Sequence, residues 1–205
     1  MPVIVVANPK GGVGKSTLAT NIAGYLASRG HSVMLGDADR QQSSRYWLAQ
    51  RPAGLPTISP WETARDEVLR APKGTTHVVL DTPAGLHGKR LDEVIKRADK
   101  LLIPLQPSLF DIHATHDFAQ QLRGHKRAEK LSIGLVGMRA REGTLSVDQL
   151  RSFLDGLGLP LLGFVRDTQN YVHLAAHGLT LWDVASSRFE RDQAQWQPII
   201  NWLDA

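Results

Sequence analysis

The chain has 205 residues, 42% of them hydrophobic and 21% charged, with a formal net charge of +4, so it has the length and apolar content of one domain with a sizeable core. It lacks cysteine, which excludes a disulfide framework and any cysteine-ligated zinc or iron–sulfur centre. No apolar run reaches the roughly 18 residues of a membrane span and no secretory leader pattern opens the chain, so a cytoplasmic protein is expected, with a slight basic excess that suits a polyanionic partner.

Taken in order, the first element is the apolar run Val3-Ile4-Val5-Val6-Ala7, which reads as a buried parallel strand. Leu18, Ala19, Ile22, Ala23 and Leu26 then recur at helical spacing. Between strand and helix stands Lys10-Gly11-Gly12-Val13-Gly14-Lys15-Ser16-Thr17. Its glycines admit backbone conformations that let successive N–H groups turn inward around phosphate oxygens, and the helix N-terminus adds partial positive charge. In such a loop Lys15 reaches the β- and γ-phosphates of a nucleotide and the Ser16 hydroxyl ligates Mg²⁺. The pattern G-x-x-x-x-G-K-[ST] is met only loosely, because Pro9 stands near the expected first glycine. Lys10 is a second lysine that an ordinary phosphate loop does not need. The plainer alternative is a glycine-rich turn with solvated lysines.

Arg29-Gly30-His31 ends the helix, with Gly30 as its cap. Ser32 to Gly36 is a second strand, running out into Asp37-Ala38-Asp39. Carboxylates at a strand's carboxyl end lie where open α/β sheets bind ligands, and one there orders metal-bound water or holds an attacking water. A solvated turn is the alternative. Residues 51–60 are rich in breakers (Pro52, Gly54, Pro56, Pro60) and read as a loop, and a helix is expected from Trp61 to Arg70, with Trp61, Ala64, Val68 and Leu69 on one side. His77 to Asp81 is the third strand, and its closing aspartate fits a carboxylate beside Mg²⁺. A basic helix follows over 89–98, then a strand over 101–105 and a helix from the Gln106-Pro107-Ser108 segment to about Leu122. Arg123 to Lys130 is a basic connector. Strands over 133–138 and 161–165 flank a helix over 146–157. In the tail, Phe189 to Ala205, Pro198 interrupts an apolar pattern with no lysine or arginine after Arg191. An interfacial membrane helix wants basic residues around its apolar face, so packing against the sheet is expected instead. Six strands alternating with helices give an α/β fold, a mostly parallel sheet flanked by helices, as a single domain over 1–205.

Lys-Gly-Gly-Val-Gly-Lys-Ser-Thr resembles the deviant Walker A motif of the ParA/MinD family of P-loop ATPases. The resemblance runs through nearly the whole chain. It implies that residues 10–17 (Lys10, Gly11, Gly12, Val13, Gly14, Lys15, Ser16, Thr17) hold ATP, and that Lys10 reaches across a homodimer to the partner's phosphates. Asp37-Ala38-Asp39 with the later Ser43-Ser44 and Trp47 resembles the family's second acidic motif. This implies that Asp39 orients the water and Asp37 supports the metal shell, although Arg40 replaces the usual proline. Asp81-Thr82-Pro83-Ala84-Gly85 resembles the Walker B segment, with Asp81 beside Mg²⁺ and Gly85 near the γ-phosphate. Segment 104–111 resembles that of the small ParA proteins. The adenine-reading asparagine of many members is absent, with Gly137-Met138-Arg139 in its place, and the Arg-x-Arg-x-x-Tyr segment lacks its second arginine at Thr168. The resemblance implies a nucleoid-associated ATPase. Its ATP-bound dimer binds DNA without sequence preference, through candidates Arg139, Arg141, Arg166, Arg188 and Arg191, and a cargo adaptor protein stimulates hydrolysis. With Met1 directly before the first strand, no helix-turn-helix region and no operator binding are expected. A MinD-like membrane-cycling ATPase and a metabolic P-loop enzyme are the alternatives.

Overall fold

A computed structural model describes all residues except 62, 65, 66, 69, 70, 142 and 186. In chain order its elements are β1 (Val3–Val6), α1 (Lys15–Ser28), β2 (Val33–Asp37), α2 (Ser43–Ala49), β3 (Ile58–Trp61), β4 (Thr63–Ala64), β5 (Glu67–Val68), β6 (His77–Asp81), α3 (Gly88–Ile95), β7 (Lys100–Leu105), α4 (Leu109–Arg123), β8 (Ser132–Ala140), α5 (Leu145–Leu157), β9 (Leu161–Arg166), α6 (Gln169–Ala176) and α7 (Glu190–Asp204). One seven-stranded sheet has the order β3-β2-β6-β1-β7-β8-β9, and every pairing in it is parallel.

The sheet is covered on both faces, which is why its strands are apolar runs without polar alternation. Ile4 and Val6 of β1 join α1, Trp47 of α2, Tyr171 and Leu174 of α6, and Trp196 and Ile199 of α7 in one core. Val3, Val5 and Ala7 point the other way, into a core shared with Leu91 and Ile95 of α3, Phe118 and Leu122 of α4, and Leu150 and Leu154 of α5. The strand order reverses at β1, so the crevice beyond the carboxyl ends of β1, β6 and β7 is where an open sheet of this kind takes its ligand.

Two local features fix α1. Gly30 lies at φ +84°, and the Gly30 and His31 amides donate to the carbonyls of Ala27 and Leu26 at 3.0 and 3.2 Å, a left-handed cap that only glycine adopts without strain. Midway along α1, a Cβ added to Gly24 would sit 2.4 Å from Thr180 Oγ1. We therefore expect Gly24→Ala to destabilise the fold by about 1–3 kcal/mol through overpacking, despite alanine's better helix propensity. A urea denaturation midpoint at or above that of the unchanged protein would show that the 178–183 segment yields at little cost.

Three expectations are corrected. The breaker-rich stretch contains β3, a seventh strand, with Pro60 tolerated because β3 lies at the sheet edge. In place of a helix from Trp61 to Arg70, Trp61 closes β3 and Thr63–Ala64 pairs antiparallel with Glu67–Val68. Leu69 and Arg70 lie outside the described residues. Finally, Pro198 does not interrupt the tail: α7 runs through it, held by burial of Trp196, Ile199, Ile200 and Leu203, which outweighs the one helical hydrogen bond that proline removes.

Candidate nucleotide site

The loop between β1 and α1 is braced from three sides. Asn8, fully buried, donates through Nδ2 to the Pro104 carbonyl at 2.8 Å and to Thr115 Oγ1 at 3.1 Å, while its Oδ1 accepts the Lys10 amide at 2.8 Å. Gln106 Nε2 donates to the Gly12 carbonyl at 2.8 Å. The Gly85 amide donates to the Pro9 carbonyl at 2.8 Å, which ties the loop to the segment leaving β6. Gly12 and Gly14 lie at φ +75° and +96°, and Val13 is buried beneath them. Gly14 caps α1 with no side-chain hydrogen bond, and the first turn carries no acidic residue. The helix thus presents bare N–H donors and positive potential to the crevice, which is an anion-binding arrangement.

Lys15 is buried, and its ammonium donates to the Lys10 carbonyl at 2.7 Å. Burial lowers its pKa, and the carboxylates of Asp81 and Asp39 act in the opposite direction. Lys10 is half-exposed, and its ammonium has no partner among the described residues. Two lysines that share one loop therefore differ: one is drawn inward and one is left to reach outward.

Asp81 ends β6 directly across from Val6 and is buried. Its Oδ2 accepts the Ser44 hydroxyl at 2.6 Å, and Thr82 Oγ1 anchors the next residue to the Val6 carbonyl at 2.9 Å. Its Oδ1 is buried without a hydrogen-bond partner among the described residues. Burial pushes this carboxyl up to about 6, with the Ser16 and Ser44 hydroxyls pulling it back. An orphaned carboxylate oxygen beside a hydroxyl, at a site that raises its own proton affinity, is an environment a divalent cation satisfies. The residues present fit Mg²⁺, with Asp81 and Ser16 as the groups that would hold it and charge neutralisation on the phosphates as the chemistry it would supply.

The two aspartates at the carboxyl end of β2 differ in their contacts. Asp37 Oδ1 accepts the Asp39 amide at 2.9 Å, and its Oδ2 accepts the Ser44 and Arg45 amides at 2.9 and 3.1 Å. Burial raises its pKa and these three N–H groups lower it. Asp37 is thus the acceptor that closes the turn and starts α2, so any service to a metal passes through that turn. Asp39 has one bond of this kind, from the Gln41 amide to Oδ1 at 3.0 Å, and lies close enough to influence Lys15.

The five arginines named for DNA converge on one edge, where β8 and β9 end. Arg141 pairs with Asp167 at 3.0 Å. Arg166 pairs with the fully buried Asp192, which also accepts from Asn170 Nδ2 at 2.6 Å. Arg188 donates to Asn170 Oδ1 at 3.0 Å. Arg191, next to Asp192, is exposed, as is Arg139. Sequence reasoning missed Asn8, Ser44 and Gln106. Asn8 carried a signal, a polar residue closing an apolar run directly before the glycines, and Ser44 stood in a recognised motif without a role assigned to it.

A family model, the CobQ/CobB/MinD/ParA nucleotide binding domain, matches residues 4–181. The chain belongs to that family. Its ParA/MinD members are ATPases. The Maintenance of carboxysome distribution protein A of Gloeobacter kilaueensis is 40% identical over 112 residues, 54% of this chain and 51% of that protein. The match therefore spans about half the length of that relative. The protein of the same name from Halothiobacillus neapolitanus is 27% identical over 190 residues, 89% of this chain and 88% of its own. Among solved structures, the MinD cell division protein of Aquifex aeolicus superposes with a TM-score of 0.77 at 20% identity, covering 100% of this chain and 98% of that one. This last likeness confirms the seven-stranded, helix-flanked architecture of the ParA/MinD ATPases.

Proposed function

We propose that the chain is a ParA-type positioning ATPase. ATP closes a homodimer through Lys10, the closed dimer binds DNA without sequence preference, and a cargo adaptor stimulates hydrolysis and release. The observation that carries this reading is Lys10: a half-exposed ammonium, without a partner among the described residues, at a phosphate loop that already has its own buried lysine. Lys15 and the α1 N-terminus hold the phosphates, and Lys10 adds charge where a second subunit's phosphates would come. Asp39 holds the attacking water, positioned by the turn that Asp37 closes. The arginine edge supplies phosphate neutralisation for DNA, which weakens steeply with salt. The named relatives distribute carboxysomes, so a large protein assembly joins plasmids and chromosome regions among the cargoes to test. The burial of the apolar residues of α7 in the core favours this reading over membrane cycling, which needs an apolar helix face free to lie on the bilayer.

The test is fluorescence anisotropy of a random-sequence duplex titrated with protein plus ATP, ADP or no nucleotide, at two salt concentrations. Binding confined to the ATP state and lost with salt supports the proposal; no binding in any state removes DNA as the matrix. In parallel, Lys10→Ala is expected to keep ATP binding within about tenfold while losing the ATP-dependent dimer in light scattering, since it removes only the contact made across subunits. A normal dimer in that variant would refute the cross-subunit role.

A further inference from the structure

The turn that carries Asp39 is built onto α2. The Ser44 and Arg45 amides donate to Asp37, and the Ser44 hydroxyl to Asp81, so the position of α2 sets that of the turn. α2 has seven residues, too few to hold a place unaided. Its carboxyl end is fixed to the segment 178–183. Arg51 forks onto Asp183 with both terminal nitrogens, at 2.9 and 2.7 Å, and the two side chains are 5% and 0% exposed. The same guanidinium donates to the Gly178 carbonyl and lies over the Trp47 ring, 5.6 Å from its centre. Trp47, buried on α2, donates from Nε1 to the Leu179 carbonyl at 3.3 Å.

The other side of this segment is fixed to α1. The Leu181 amide donates to Asn21 Oδ1 at 3.1 Å, and Trp182 Nε1 to the Asn21 carbonyl at 3.0 Å. Asn21 Nδ2 in turn donates to the carbonyl of Thr17, the last residue of the phosphate loop, at 2.9 Å. Thr180 packs against Gly24 and donates through its amide and its hydroxyl to Asp183 Oδ2, each at 2.7 Å. Segment 178–183 therefore bridges the helix behind the phosphate loop and the helix behind the Asp39 turn, with Arg51 and Asp183 as its charged link.

We infer that Arg51 is a positioning residue for ATP hydrolysis: clamped by Asp183, it fixes α2 and, through α2, the place of Asp39 relative to the phosphates. The inference rests on the ATPase reading above and on Asp39 as the holder of the water. A buried ion pair adds little stability over apolar side chains of the same volume, so its distinctive contribution is geometric. The planar fork admits one orientation, where an apolar contact would slide. A carboxylate holding a water in line is sensitive to such sliding, since a misplacement of about 1 Å can cost roughly 100-fold in rate.

Single-turnover hydrolysis and titration calorimetry with Mg-ATP, on Arg51→Lys with and without Asp39→Ala, test this. Arg51→Lys keeps the charge and loses the fork. It is expected to bind ATP within about threefold of wild type and to hydrolyse it about tenfold more slowly. In the Asp39→Ala background the same substitution should cause no further loss, because its effect runs through Asp39. The double variant Arg51→Met/Asp183→Asn removes the link without leaving a buried charge unpaired, and should show the same split where circular dichroism finds the lysine variant unfolded. Wild-type turnover in a folded variant would overturn the inference and leave the pair a structural tie. A slowing that persists without Asp39, or a loss of ATP affinity as large as the loss of turnover, would overturn it too. Failure of the reading beneath it looks different: Asp39→Ala alone would then hydrolyse ATP as fast as wild type.

Discussion

Lys15→Ala is expected to abolish measurable ATP binding at ordinary protein concentrations. The ammonium is buried, desolvated and flanked by two carboxylates, and the phosphates it would meet lie over bare helix donors with no other buried cation in the loop. Truncating one partner of a buried, hydrogen-bonded charge pair costs about 2–5 kcal/mol, roughly a 30-fold to several thousand-fold rise in Kd. The fold should survive, because the lysine's one hydrogen bond among the described residues is to the Lys10 carbonyl of the same loop. Titration calorimetry against Mg-ATP, with circular dichroism as the folding control, checks this. ATP binding within threefold of wild type would dismiss the loop as the phosphate site.

Asp39→Ala separates binding from turnover. Asp39 supports only the Gln41 amide, and no hydrogen bond of the phosphate loop depends on it. Its loss should leave ATP affinity nearly intact while turnover falls by about 10²–10⁴, the usual range for removing a positioned general base. The ATP-bound form then accumulates. Steady-state phosphate release and single-turnover kinetics measure both quantities, and hydrolysis within a few-fold of wild type would reassign the water-holding role. Asp37→Ala is the informative contrast. Its carboxylate accepts three backbone amides, so its removal disturbs the turn and the start of α2 as well as the chemistry.

Why some of this was legible in the sequence and some not follows from how each part is held. Six sheet strands were visible because burial on both faces makes them uninterrupted apolar runs. The phosphate loop was visible because its glycines and lysine perform their task through the backbone and one charge, which leaves little choice of residue. β3 was hidden because edge position, not composition, permits Pro60 in a strand. The continuation of α7 through Pro198 was hidden because the deciding interaction is long-range burial against the sheet, which outweighs the local rule for proline. The division between Asp37 and Asp39 was equally out of reach: two identical side chains two residues apart differ only in which backbone amides they meet.

The strand order has a further consequence, for the chain as it is made. β1 emerges before either of its partners, yet Val3 pairs with Val78 and Ile4 with Lys100, so the central strand has no neighbour until about 75 further residues have left the ribosome. Its first possible companion, β2, is separated from it in the finished sheet by β6 and gives it no edge to join. During that interval Val3 to Ala7 and the apolar residues of α1 stand open to the solvent. Sheets closed by such distant pairings form slowly and expose aggregation-prone surface meanwhile. The ligand-binding heart of the molecule is therefore synthesised early and completed late, and it is the segment for which a nascent-chain chaperone has most to do.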